Sequence, residues 1–344
     1  MPRRFPLLLL ALLALQLACD PAHSIQGGGQ AGTGGGGGAG GNGGATTAPE
    51  LPTVALEELV IQPGGGRAFL LDALARAQTS VRVVAYILTD DQIEDALVAT
   101  AGRGIPVRAI VPGDMSVNAD ARTKLQNGGV SVRNGHPGYA LTHEKAVVVD
   151  DELAFVLNQN LSWSGFERNR EYDAVITGQP ARDVASIFDA DWQHLPYTAD
   201  TDLVVSPLNS RARLEALLRA ADQTIDIAME VMNDREMIEL VKARAADGIA
   251  VRVLLEDPAD VDDNAATASQ LASAGVDVRW LPNPDLHAKA VVIDGSFAYI
   301  GSVNFTYHSL SRNREVGLVT ADEEAVARIA STFAADFANG RTDF

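Results

Sequence analysis

The chain has a single cysteine, Cys19, so it can form no intrachain disulfide and no cysteine-rich zinc site. Aromatic residues are scarce, at 6%. Trp163, Trp192 and Trp280 stand apart from one another and read as core or site rim, not as a platform for stacked bases. Positive charge is also in deficit, with 27 Lys and Arg against 45 Asp and Glu and a formal net charge of −18. A field of that sign repels polyanions unless a local basic cleft overrides it, which makes nucleic acid the less favoured partner. HExxH and EF-hand spacings are missing. The acidic clusters at Asp90-Asp91, Asp257 to Asp263 and Asp322-Glu323-Glu324 therefore read as helix starts and loops, and neither a metal nor a cofactor is expected. What remains is a 344-residue chain, 47% hydrophobic, able to bury one large core or two of ordinary size.

Arg3 and Arg4 precede an apolar run from Leu7 to Leu15, too short to span a bilayer permanently, and small residues follow. This reads as an export signal over 1–24. Cys19, directly after Leu17 and Ala18, resembles the lipobox of bacterial lipoproteins, in which the cysteine is lipid-modified, although Gln16 stands where that pattern prefers leucine. Cleavage after Ser24 and a cysteine with no role are the other readings. The expected location is periplasmic, at the cell surface as a lipoprotein, or secreted. Residues 25–55, mostly glycine from Gly27 to Gly44, read as a flexible linker that would tether a folded domain to a membrane if Cys19 carries lipid.

Sliding the chain against itself by 144 positions exposes a repeat. Pro63 falls on Pro207, Arg67 on Arg211, Leu74 on Leu218, Asp90 on Asp234, Gly104 on Gly248, His143 on His287, Lys145 on Lys289, Asp150 on Asp294, Asn160 on Asn304 and Glu171 on Glu315. Each half opens with a helical pattern, then a strand at Val81–Ile87 or Ile225–Val231. A helix at Gln92–Ala101 or Glu236–Ala246 follows, then strands at Val107–Val111 or Val251–Leu255. Motif strands come last, at Ala146–Val149 and Ala290–Ile293. This alternation predicts an α/β fold of two α/β/α sandwich domains, over 56–200 and 201–344, related by pseudo-twofold symmetry with the site between them.

His143 and Lys145 lie two apart, as do His287 and Lys289, so within an extended segment each pair points the same way. Asp150 and Asp294 follow each lysine by five residues and read as structural. The second copy continues to Gly301-Ser302-Val303-Asn304, and both copies reach Arg-Asn-Arg-Glu, at Arg168–Glu171 and Arg312–Glu315. H-x-K-x4-D-x6-G-S-x-N, present twice in one chain, resembles the phospholipase D superfamily of phospholipases, cardiolipin synthases, nucleases and other phosphodiesterases. The first copy departs from it, with Leu157-Asn158-Gln159-Asn160 where glycine and serine would stand.

Hydrolysing a phosphodiester without a metal needs cations on the non-bridging oxygens, a neutral nucleophile and an acid for the leaving oxygen. Lys145 and Lys289 can supply the charge, and the two imidazoles can act as nucleophile and acid through a phosphohistidine. Each histidine also needs its second ring nitrogen held. The resemblance implies that Glu171 and Glu315, each 28 residues after a histidine, do this, and that His143 is the nucleophile and His287 the acid. Near-symmetry leaves the reverse order open. Asn158, Asn160, Ser302 and Asn304 could complete an oxyanion cradle. The leading expectation is phospholipase D-type hydrolysis of a phospholipid headgroup, with transfer to alcohols a further option, by a monomer acting at a membrane surface. An exported nuclease and a catalytically idle phosphate-binding lipoprotein are the alternatives. Turnover is expected to survive exhaustive chelation, because lysines do the work of a cation; loss in EDTA, restored by a divalent ion, would refute this.

Overall fold

A computed structural model describes residues 51–343. The export signal, Cys19 and the run from Gly27 to Gly44 lie outside the described residues. Apolar residues three and four apart form helices at Ala68–Arg76 and Ser210–Ala220, burying Leu70 and Leu74, and Leu214, Leu217 and Leu218. The helices Asp91–Gly102 and Arg235–Ala246 are capped by Asp90 and Asp234, which accept from the Ile93 and Met237 amides. Those aspartates also pair with Arg67 and Arg211, at 2.7 Å in each case. Four of the repeated positions are thus explained by one capping device used twice. Gly104 and Gly248 follow these helices at φ of 84° and 91°, a left-handed turn that glycine adopts without strain.

The first sheet runs Glu58–Gln62, Asn169–Thr177, Leu153–Val156, Ala146–Val149, Val81–Val84, Val107–Ile110, Ser131–Arg133. The second runs Val204–Ser206, Glu315–Thr320, Phe297–Gly301, Lys289–Ile293, Thr224–Met229, Ala250–Leu255, Asp277–Trp280. The two orders are the same, position for position, and each motif strand is central. Their side chains alternate between two buried faces: Ala146, Val148, Ala290 and Val292 enter one core common to both halves, whereas Val147 and Val149, and Val291 and Ile293, enter the separate core of their own half. Ile187 from the helix Gly178–Gln193 and Phe333 from Glu323–Asn339 complete the common core.

Two expectations need correction. The strand expected over Val81–Ile87 ends at Val84, after which the chain leaves the ladder and carries Tyr86 toward His143. The linker over 25–55 overruns: Val54 is buried in the common core and its amide donates to the Val319 carbonyl, because an apolar side chain gains more from burial there than from solvent.

Charged groups also bind the halves together, and they do so twice. Arg314 grips Asp191 with two hydrogen bonds, at 2.8 and 3.1 Å, while Arg170 grips Asp336 at 2.6 and 3.0 Å. In each pair the arginine precedes a repeated glutamate and the aspartate lies on the last helix of the other half. Arg314 and Asp191 are fully buried, so removing one partner strands a charge. Asp191→Ala should lower the unfolding free energy by about 3–5 kcal/mol, whereas Asp151→Ala, which removes a half-exposed partner of Arg82, should cost about 1 kcal/mol or less. Denaturant unfolding of both variants checks this, and equally small losses would deny the buried pair a structural role.

Candidate functional site

Backbone pairing delivers the repeated residues to one another. Thr142 forms a parallel bridge with Arg314, and Leu286 pairs in parallel with Arg170. Each of these four residues directly precedes a histidine or a glutamate. His143 therefore meets Glu315, with Nδ1 2.9 Å from Oε2, and His287 meets Glu171, with Nδ1 2.8 Å from Oε1. Linear spacing associates each histidine with the glutamate of its own half; the fold exchanges them. Both glutamates are fully buried. Asn169 donates to Glu171 at 3.1 Å, and Ser309 and Asn313 donate to Glu315 at 2.9 and 3.3 Å.

Because a carboxylate can only accept, Nδ1 of each imidazole is the donor and Nε2 is the nitrogen left for chemistry. Lys145 Nζ lies 3.0 Å from His143 Nε2 and donates to the His143 carbonyl at 2.6 Å. Lys289 Nζ donates to the His287 carbonyl at 2.5 Å. Burial, helped by the charge of Lys289, drives the Lys145 ammonium down from its ordinary value to about 7. Burial likewise lowers His143, against the pull of Glu315. For Glu315, burial alone would push the carboxyl up, but the charges of His143 and Lys145 and the hydrogen bond from His143 bring it below the usual range. An uncharged imidazole nitrogen beside ammonium groups can attack an electrophile bearing anionic oxygens.

The expected cradle is not assembled as the sequence suggested. Asn158 is fully buried and all its polar capacity is spent on backbone: Oδ1 accepts from the Tyr172 and Lys289 amides, and Nδ2 donates to the Gly301 and Lys289 carbonyls. It is a staple beneath Lys289 and not a ligand for phosphate. Ser302 is equally buried, its hydroxyl closing on the amide and carbonyl of Val316. Asn304 bonds the Val231 amide and Glu230, whereas the buried Asn160 Oδ1 has no partner. Asp150 accepts from the Gln78, Thr79 and Ser80 amides and Asp294 from Asp222, Gln223 and Thr224, so both clamp a turn ahead of a neighbouring strand.

Two site residues escaped the sequence reading. Tyr86 stands edge-on to the His143 ring, 4.7 Å between centroids. Glu230, its counterpart under the repeat, lies 2.7 Å from Lys289 Nζ and 3.6 Å from His287 Nε2. The usable signal was a mismatch: a tyrosine opposite a glutamate just beyond two matched strands. Among the described residues no group of three or more His, Cys, Asp or Glu is arranged to hold a metal ion.

The family described as "Cardiolipin synthase, PLD-like domain" matches residues 70–192 and again 214–337. Cardiolipin synthase 1 of Bacillus anthracis is 24% identical over 78% of this chain and 64% of its own length. Cardiolipin synthase A of Pseudomonas fluorescens is also 24% identical, over 85% of this chain and 71% of its own. The chain thus spans just under two thirds of the Bacillus relative. Among solved structures, phosphatidylserine synthase of Haemophilus influenzae Rd KW20 is similar in fold, with a TM-score of 0.63 at 14% identity over 86% of this chain and 90% of that one. Polyphosphate kinase of Porphyromonas gingivalis, at a TM-score of 0.64 and 14% identity, covers 81% of this chain and 50% of its own.

The exchanged contacts make a prediction that depends on pairing and not on proximity in sequence. Glu315 raises the His143 pKa by its charge, so Glu315→Gln should lower it further, while Glu171→Gln should move it much less. Histidine ring resonances followed by NMR through a pH titration test this; a larger effect from Glu171→Gln would contradict the exchange.

Proposed function

The chain belongs to the phospholipase D superfamily, and from that premise we propose that it transfers the phosphatidyl group of a phospholipid to an acceptor alcohol through a phosphohistidine. The observation that carries this reading is the pair of imidazoles, each with Nδ1 held by a carboxylate of the other half and each beside a lysine. Relatives named as synthases of phospholipids favour a lipid substrate and an alcohol in place of water.

In the first half-reaction His143 Nε2 attacks phosphorus, the bond to the headgroup oxygen breaks, and His287 gives that oxygen a proton. In the second, His287 takes the proton of the acceptor hydroxyl, whose oxygen attacks phosphorus as the N–P bond breaks. Lys145 and Lys289 offset charge on the non-bridging oxygens, and no metal is needed. Burial that keeps His143 uncharged suits it to the nucleophile's role. The halves 56–200 and 201–344 act as one monomeric unit. Export and a lipid at Cys19 would hold that unit near its substrate.

Mixed vesicles of phosphatidylcholine, supplied with glycerol and the full chain, should yield a phospholipid in which glycerol replaces choline, detected by mass spectrometry. Phosphatidic acid alone would mean hydrolysis, and cleavage of single-stranded DNA without lipid turnover would overturn the lipid reading. His143→Asn and His287→Asn should each lower the rate about 10³-fold or more without unfolding the protein, because the pair acts as a unit. Since Lys145 carries its charge only when protonated, kcat/KM should fall as pH rises through about 7. The corresponding limb in kcat should lie at higher pH, because bound phosphate favours the ammonium.

A further inference from the structure

Glu230 is where the two half-sites stop matching. Its Oε2 lies 2.7 Å from Lys289 Nζ and accepts a hydrogen bond from Asn304 Nδ2 at 3.1 Å, while Oε1 lies 3.6 Å from His287 Nε2. An ammonium, a carboxamide and the reactive imidazole nitrogen, the three groups this half-site could offer a phosphate, therefore converge on one carboxylate. Its two oxygens share a charge much as the two non-bridging oxygens of a phosphodiester do. Burial opposes that charge, but His287 and Lys289 more than compensate, holding the carboxyl well below its usual range. The side chain keeps 16% of its surface exposed, which leaves it a path toward solvent. In the other half Tyr86 occupies the corresponding place and puts no carboxylate beside Lys145.

We propose that Glu230 is a specificity-determining residue: an internal anion seated where substrate phosphate oxygens bind, which substrate displaces and which selects singly charged phosphodiesters over doubly charged phosphate and phosphomonoesters. This rests on the phosphodiester reading of the site. Even when displaced, a side chain attached at position 230 stays within a few ångströms of the bound anion, and its repulsion grows with the anion's charge. A dianion meets about twice the penalty of a diester monoanion. The consequence for a transferase is that free phosphate and phosphomonoesters compete poorly with the diester substrate.

The test compares the full chain with Glu230→Gln, which keeps shape and removes charge, and Glu230→Tyr, which installs the residue type of the other half. Binding of inorganic phosphate, at a pH where it is mostly a dianion, and of dimethyl phosphate is measured by calorimetry, with circular dichroism confirming the fold. Inorganic phosphate should bind both variants roughly tenfold or more tightly than wild type, and dimethyl phosphate should gain less. Equal or weaker phosphate binding in both folded variants, or equal gains for the two anions, would overturn the role of Glu230 and leave the phosphodiester reading standing. If neither anion binds wild type or variants, both are overturned.

Discussion

The contact on which the rest depends is the exchanged hydrogen bond between a histidine of one half and a glutamate of the other. A carboxylate with no exposed surface costs several kcal/mol unless it is paired and hydrogen-bonded. Glu171 and Glu315 meet that condition only when the halves are docked. Docking and completion of the site are therefore one event. The flanking devices follow the same logic: backbone bridges at Thr142–Arg314 and Leu286–Arg170 set the register, two Arg–Asp pairs reach across to the opposite final helix, and a common apolar core removes water from between the sheets.

Symmetry is kept in the strand order and the helix caps and broken in two places around the lysines, one in the buried frame and one beside the histidines. Gly301 faces Gly317 across neighbouring strands, and a Cβ on Gly301 would lie 2.3 Å from the Gly317 Cα, so the second half needs glycine at both positions. The first half has Leu157 and Asp173 there. Asp173 is buried, which with neighbouring Glu171 pushes its carboxyl well above the ordinary range, and it accepts from the Asn158 amide. Asn158 in turn does for Tyr172 what Ser302 does for Val316, and its greater length lets it also hold Lys289. The departure from the motif in the first copy is thus a support for the lysine of the second. Glu230 and Tyr86 break the symmetry from the other side, giving the two lysines different partners.

The sequence by itself determined the duplication, the α/β class, a helix start at Asp90 with Asp234 as its repeat counterpart, and the spacing that sets each lysine two residues after a histidine. All of these are carried by local spacing or by one constant offset, which the linear chain displays directly. It read Asp150 and Asp294 as structural, and each accepts from the amides of a turn ahead of a strand. Only the tertiary structure decided which glutamate serves which histidine, that Asn158 and Ser302 face backbone, and that Glu230 lies among the cations. The exchanged His–Glu pairs and the bond from Asn158 to Lys289 depend on how the two halves dock and join residues more than a hundred positions apart, whereas the places of Ser302 and Glu230 depend on strand pairing within the second half, which spacing does not display either. Period and offset display the elements and the repeat; which side chain meets which is chosen by strand pairing within a half and by packed surfaces between halves.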